Sequence, residues 1–339
     1  MEPYIPDSRW TGRHWMTFYT WAHPRQFPRL PAPTPRYFDV SADVRVLAHC
    51  HWQPRPREHP TMVALHGLEG SSDAHYMRGL ADKAFRAGFN AVRLNQRNCG
   101  GTEYLSTGLY HSGLTQDPAA VIRELIAVDG LPAIAVAGYS LGGNLALKLA
   151  GDYGTDAPSP LRAICAVSPT LDLERCVVAL EAGENRLYEW NFVRNLKSRM
   201  RRKARLFPDR YRLNGLRRIK TVREFDEVFT APHHGFRDAR DYYYRASALR
   251  VIDKIRVPTL IITAEDDPFV PIDPCRDPLV TGNPSITVVI TRHGGHCGFV
   301  SQSRSYDDDG YWAERAVVDF AQQHVSVRTA NAAGITPGE

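Results

Sequence analysis

The sequence predicts an α/β fold, a mostly parallel central sheet with helices on both faces and a helical cap inserted into it. Three observations carry this. Short continuous apolar runs recur along the chain, bounded by turn residues. Segments with helical spacing alternate with them. The alternation then lapses between about Leu171 and Leu249, where the chain turns helical, basic and aromatic. Strands that are apolar on both faces belong to buried parallel sheets, and regular strand–helix alternation builds such sheets.

The elements follow in order. Residues 1–36 are rich in aromatics and proline (Pro24, Pro28, Pro31, Pro33, Pro35) and read as an extended N-terminal arm, since proline fixes φ and removes a donor. Arg36 to Trp52 has the patchy β character of a hairpin. Thr61 to Leu65 is a buried strand that ends at His66-Gly67, and Asp73 to Ala87 is a helix stopped by Gly88. Ala91 to Leu94 is the next strand. Asp117 caps a helix opening at Pro118. Ala133 to Ala137 is a strand followed by a glycine-rich turn and a helix from Leu141 to Leu149. Ala163 to Val167, Thr259 to Thr263 and Ile286 to Ile290 complete the strands, and Trp312 to His324 closes the fold as a helix. The core therefore comprises residues 37–170 and 250–327, the cap 171–249, and a small polar tail 328–339. Asp307-Asp308-Asp309-Gly310 lacks the spaced ligands of a calcium loop and reads as an acidic cluster at a helix N-terminus.

Composition narrows the class. With 339 residues, 43% hydrophobic and 23% charged, the chain is ordinary globular protein, neither disordered nor fibrous. No apolar run is long enough to span a bilayer. The first residues lack a basic stretch followed by an apolar core, and the six cysteines form no C-x-x-C pair, so reduced thiols and a cytoplasmic location are expected. His49-Cys50-His51 is no metal clip, because neighbouring strand residues point to opposite faces. The net charge of +5 is unevenly spread: Arg194 to Lys220 holds twelve Lys or Arg against one acid, Asp209. That segment reads first as a solvated helix face, and second as a contact for an anionic partner such as a phospholipid surface.

In open α/β sheets the chemistry lies beyond the carboxyl ends of the strands. There Gly138-Tyr139-Ser140-Leu141-Gly142 matches G-x-S-x-G between an apolar strand and an amphipathic helix, the setting a nucleophile elbow requires. No lysine of a phosphate-binding loop follows. A serine hydroxyl needs a base, and the base a third group to hold it. Candidate acids Glu265, Asp266 and Asp267 follow one strand, and candidate bases His293 and His296 follow the next. Pattern alone leaves both choices open. His233-His234, within the cap, reads as a surface pair.

The chain resembles the α/β-hydrolase superfamily, and within it the YheT-like family related to mammalian ABHD1 and ABHD3. The shared pieces are His66-Gly67-Leu68-Glu69-Gly70-Ser71-Ser72, Arg97-Asn98-Cys99-Gly100-Gly101, Gly138 to Asn144, Phe225-Asp226-Glu227, Asp241-Tyr242-Tyr243, Asp266-Asp267-Pro268 and Gly294 to Phe299. Tyr139 stands where relatives often carry Phe. The resemblance implies the α/β-hydrolase fold, esterase chemistry, Ser140 as nucleophile, Asp267 as acid and His296 as base. The backbone amides of Leu68 and Leu141 are then expected to form the oxyanion hole. No metal or organic cofactor is implied.

Expected substrates are short- to medium-chain acyl esters or lipid esters. Acyl transfer, perhydrolysis and lipase or phospholipase activity are rivals with the same triad. A carboxylate nucleophile, as in dehalogenases and epoxide hydrolases, is argued against by Ser140. The rival of a different class is a non-catalytic binder of anionic lipid or nucleic acid through the basic cap, and no nucleic-acid motif supports the latter.

Overall fold

The structure is a computed structural model that describes residues 2–302 and 309–325. An eight-stranded sheet runs in the order β1-β2-β4-β3-β5-β6-β7-β8. The hairpin β1 (Thr34–Ser41) and β2 (Val44–His51) joins β4 (Asn90–Leu94) antiparallel. The remaining pairs are parallel: β3 (Thr61–Leu65), β5 (Ile134–Tyr139), β6 (Leu161–Val167), β7 (Thr259–Ala264) and β8 (Ile286–Thr291).

Alternation along the central strands feeds two cores. Val63, Leu65, Ile134 and Val136 face one side, where helices α3 (Gln116–Ala127) and α4 (Leu141–Tyr153) contribute Val121, Leu125, Leu145 and Leu149. Met62, Ala64, Ala135 and Ala137 face the other, packed by α2 (His75–Arg86) and the closing helix α11 (Trp312–Val325). Burial on both faces explains why these strands read as unbroken apolar runs.

Between β6 and β7 the chain inserts α5 (Leu173–Leu180), the long α6 (Arg186–Leu206), α7 (Val222–Phe225), α8 (Ala231–His233) and α9 (Ala239–Ala246). These carry a hydrophobic cluster of their own, with Val193, Leu196 and Met200 of α6 packed against Leu216, Phe225 and, from the core side, Phe269. A short α10 (Pro278–Thr281) precedes β8.

Two expectations need correction. The N-terminal arm is not extended throughout: Arg13–Ala22 forms a helix, α1, which buries Met16, Thr17 and Thr20. Residues 7–23 contain no proline, and the prolines that mark the arm cluster after the helix ends. Asp117 is not a helix cap. The helix starts a residue earlier, at Gln116, and the Asp117 carboxylate instead pairs with Arg97 in its first turn.

The tail after Val327 lies outside the described residues, as do Asp307 and Asp308 of the acidic cluster. Asp309 takes ion pairs from Arg25 and Lys83, both of which also pair with Glu314 of α11. This network fastens the arm behind α1 to the body of the sheet. His49 and His51 do not converge, since His49 Nδ1 meets Ser72 Oγ at 2.7 Å while His51 Nδ1 meets the Pro31 carbonyl at 2.9 Å.

Candidate active site

Ser140 sits between β5 and α4 with φ 55° and ψ −119°, in the left-handed half of the map that side chains seldom adopt. The turn holds because the glycines around it are irreplaceable. A Cβ on Gly138 would run into the Gly142 carbonyl, and one on Gly142 into the carbonyls of Leu65 and His66. The Ser140 amide donates to the Val167 carbonyl at 2.9 Å, so the neighbouring strand fixes the strained turn.

The two loops beyond β7 and β8 separate the competing acids and bases. His296 Nδ1 lies 2.8 Å from Asp267 Oδ2, and the Asp267 side chain is wholly buried. Its other oxygen accepts the amides of Phe269 and Val270 at 3.1 and 2.9 Å, which holds the carboxylate rigid. Asp266 instead pairs with His293 at 3.1 Å, and Glu265 with Arg276. Burial works against a charged His296 imidazole, but the adjacent Asp267 carboxylate prevails and, helped by Cys297, raises its pKa. The ring packs on Phe269, centroids 4.2 Å apart, and the His296 amide donates to Thr17 Oγ1 of α1 at 2.9 Å.

Ser140 and His296 open onto one cavity of about 550 Å³. Among the described residues the Ser140 hydroxyl makes no hydrogen bond, so its link to the imidazole is not formed in this structure. Such bonds commonly tighten only with substrate in place.

Leu68 lines the same cavity, and Leu141, directly after Ser140, is the first residue of α4. Gly67 brings Leu68 close, for a Cβ there would lie 3.2 Å from Ser140 Cβ. The loop is held from below. His66 is fully buried, its Nδ1 is 2.8 Å from the Gly67 carbonyl and its Nε2 accepts the Gln96 amide at 3.1 Å. Burial lowers its pKa to about 4, which keeps it neutral.

Sequence reasoning missed several supporting residues. Thr17 belongs to a helix that was not foreseen. Asn144, on the first turn of α4, donates to the Ser112 and Ala246 carbonyls and accepts the Ala248 amide, tying the elbow helix to the returning insertion. Its place in the Gly138 to Asn144 motif was the available signal. Arg199 of α6 pairs with Glu69 at 2.5 Å, both side chains buried, and its guanidinium lies over the Tyr110 ring. Lys203 is buried too. The basic segment is thus not wholly a solvated face. His233 and His234 lie outside the cavity lining; His233 Nε2 accepts the Leu109 amide at 3.2 Å.

The cavity walls are chiefly apolar and aromatic, with Phe18 and Trp21 from α1, Leu187, Tyr188 and Trp190 from α6, and Phe269. Such walls suit an uncharged, greasy group beside a hydroxyl.

Comparison with known proteins agrees with the fold. The family described as alpha/beta hydrolase fold matches residues 60–302. The chain is 32% identical to YheT of Escherichia coli K12, over 96% of this chain and 95% of that protein. It is 31% identical to the mouse phospholipase ABHD3, over 71% of this chain and 58% of the mouse protein. It is 29% identical to the Saccharomyces cerevisiae medium-chain fatty acid ethyl ester synthase/esterase 2, over 88% and 68%. Among solved structures, the Pyrococcus furiosus esterase Pf2001 superposes with a TM-score of 0.59 at 14% identity, over 96% of this chain and all of that one. The family match across most of its length, joined to the end-to-end likeness to YheT, establishes that the chain belongs to the α/β-hydrolase fold family.

Proposed function

We propose that the protein is a serine hydrolase of carboxylic esters, with Ser140, His296 and Asp267 as its catalytic triad. The observation that carries this is the buried Asp267–His296 pair opening, together with a strained Ser140, onto one apolar cavity. Relatives named as an esterase and as a phospholipase support ester chemistry.

In this reading an ester carbonyl enters beside Ser140. His296 Nε2 takes the hydroxyl proton as Oγ attacks, while Nδ1–H remains bonded to Asp267, which stabilises the imidazolium. The oxyanion is received by the Leu68 and Leu141 amides, each worth about 3–4 kcal/mol in comparable sites. The tetrahedral adduct collapses, the C–O bond to the alcohol breaks, and the imidazolium protonates the departing oxygen. Water, deprotonated by His296, then attacks the acyl-enzyme and releases the acid. The walls favour short- to medium-chain or lipidic acyl groups over sugars and peptides. The six cysteines, all unpaired, are in keeping with a cytoplasmic setting.

A fluorophosphonate probe and a chain-length series of p-nitrophenyl esters test the proposal. Labelling and turnover are both expected, and both should vanish in Ser140→Ala. Hydrolysis no faster than that variant across the whole series would refute it.

A further inference from the structure

The cavity mouth carries large apolar side chains that fold into nothing. Trp21 of α1 is 72% exposed, and Leu187 and Trp190 of α6 are 68% and 59% exposed, although all three line the cavity. Leaving such area in water is unfavourable, and contiguous apolar rims of this kind mark interaction surfaces.

The same helix says what kind of partner fits. At 3.6 residues per turn, Leu187, Trp190, Arg194, Arg201 and Arg205 fall within a stripe about 60° wide, running about 27 Å along α6. The stripe is apolar at the cavity mouth and basic beyond it, and Arg194 lies over the Trp190 ring at 4.9 Å. Among the described residues none of the three arginines is in an ion pair. The helix has one acid, Glu189, which is buried and accepts the Val222 amide, so α6 itself places no carboxylate on this stripe.

We propose that this face docks on a bilayer containing anionic phospholipid. The indole and leucyl side chains would enter the interfacial layer around the cavity mouth, and the arginines would meet headgroup phosphates. Trp, Leu and Arg on one side of a helix is the chemistry of interfacial association, where apolar insertion and charge attraction act together. Nucleic acid suits the arginines but leaves the apolar end beside the mouth unexplained. A second copy of this chain would cover the apolar end while bringing two unpaired basic stripes together. Docking does not depend on the Ser140 chemistry; only the delivery of a lipid ester into the cavity rests on the hydrolase reading.

Vesicle co-sedimentation tests this, using phosphatidylcholine vesicles with and without one-third phosphatidylglycerol. The full chain is expected to bind the mixed vesicles better, and to release them at high salt. R194E/R201E and, separately, L187A/W190A are each expected to weaken partitioning at least about tenfold. Thermal melts confirm that both variants fold, and R194E/R201E should still hydrolyse a water-soluble ester. Repeating the binding with Ser140→Ala keeps it independent of turnover. The proposal is overturned if the wild type prefers neither vesicle, or if both variants bind as it does. It is equally overturned by a wild-type dimer that L187A/W190A dissociates, or by a duplex oligonucleotide that binds where vesicles do not.

Discussion

The Arg199 guanidinium, on a helix inserted between β6 and β7, forms a buried ion pair with Glu69, the residue directly after Leu68. It links the inserted helices to the loop that presents the Leu68 amide. A buried pair tolerates the loss of both members far better than the loss of one. Arg199→Ala should therefore lower the unfolding free energy by about 3–5 kcal/mol, because Glu69 is left buried without its countercharge. Arg199→Met combined with Glu69→Gln should cost less than the sum of the two single changes, as read from urea midpoints. Additive costs would show that the two side chains are not coupled.

The neighbouring carboxylates Asp266 and Asp267 should differ sharply in effect. Asp267→Asn removes the charge that holds His296, and in comparable triads this change lowers kcat about 10⁴-fold. Asp266→Asn weakens the His293 pair but keeps an oxygen that can accept the Gly295 amide, and kcat/KM should stay within a few-fold of wild type. The pH profile sharpens the contrast. The His296 pKa is raised in the folded protein, so the neutral form, the proton acceptor in the proposed mechanism, is lost as pH falls through a value above the ordinary imidazole pKa of about 6.5. In Asp267→Asn burial is opposed only by Cys297, and the acid midpoint of residual activity should fall below that of wild type. An unchanged midpoint would remove Asp267 from the role proposed for it.

Periodicity exposed the sheet because its central strands are buried on both faces, and the elbow because a strained serine leaves glycines on either side. The choice between Asp266 and Asp267 was less accessible. Adjacent residues in a loop have the same composition signal, and only the backbone path decides that one oxygen meets His296 and the other His293. The family resemblance chose Asp267 where spacing could not. Arg199 and Lys203 were invisible for another reason: in a run of twelve cations, sequence does not mark the two that turn inward. Helix α1 was hidden by averaging, since prolines beyond residue 23 coloured the whole arm.

Gly67 and Gly142 should separate activity from stability. At Gly142 a Cβ would meet backbone carbonyls of Leu65 and His66, which cannot rotate aside. Gly142→Ala is expected to cost about 3 kcal/mol or more, seen as a large fall in melting temperature or in soluble yield. At Gly67 the nearest atom to a new Cβ is Ser140 Cβ at 3.2 Å, so a shift of a few tenths of an ångström relieves the contact. That shift moves the loop bearing the Leu68 amide. Gly67→Ala should melt close to wild type yet lose at least about tenfold in kcat/KM, since it misplaces the Leu68 amide, a donor of the proposed oxyanion hole. Equal loss of stability in both variants would contradict this division.

Lys203 should make stability depend on alkaline pH. Its ammonium is buried between the carbonyls of Glu103, at 3.1 Å, and Ser106, with the Phe207 ring 4.4 Å away. Burial pushes its pKa down to about 8; Arg199 and Arg210 act in the same direction, and Glu103 opposes them. In the unfolded chain the value returns to about 10.4. Between those limits the unfolded state holds more protons, so the unfolding free energy rises with pH. A neutral amine still donates to both carbonyls, which is why the folded state tolerates losing the charge. Lys203→Met removes the titration altogether. The stability of wild type relative to Lys203→Met should therefore grow from pH 8 to about pH 10.5, by the order of 3 kcal/mol, in denaturant titrations at matched ionic strength. A difference that stays flat across that range would mean the ammonium is held in the fold at no electrostatic cost.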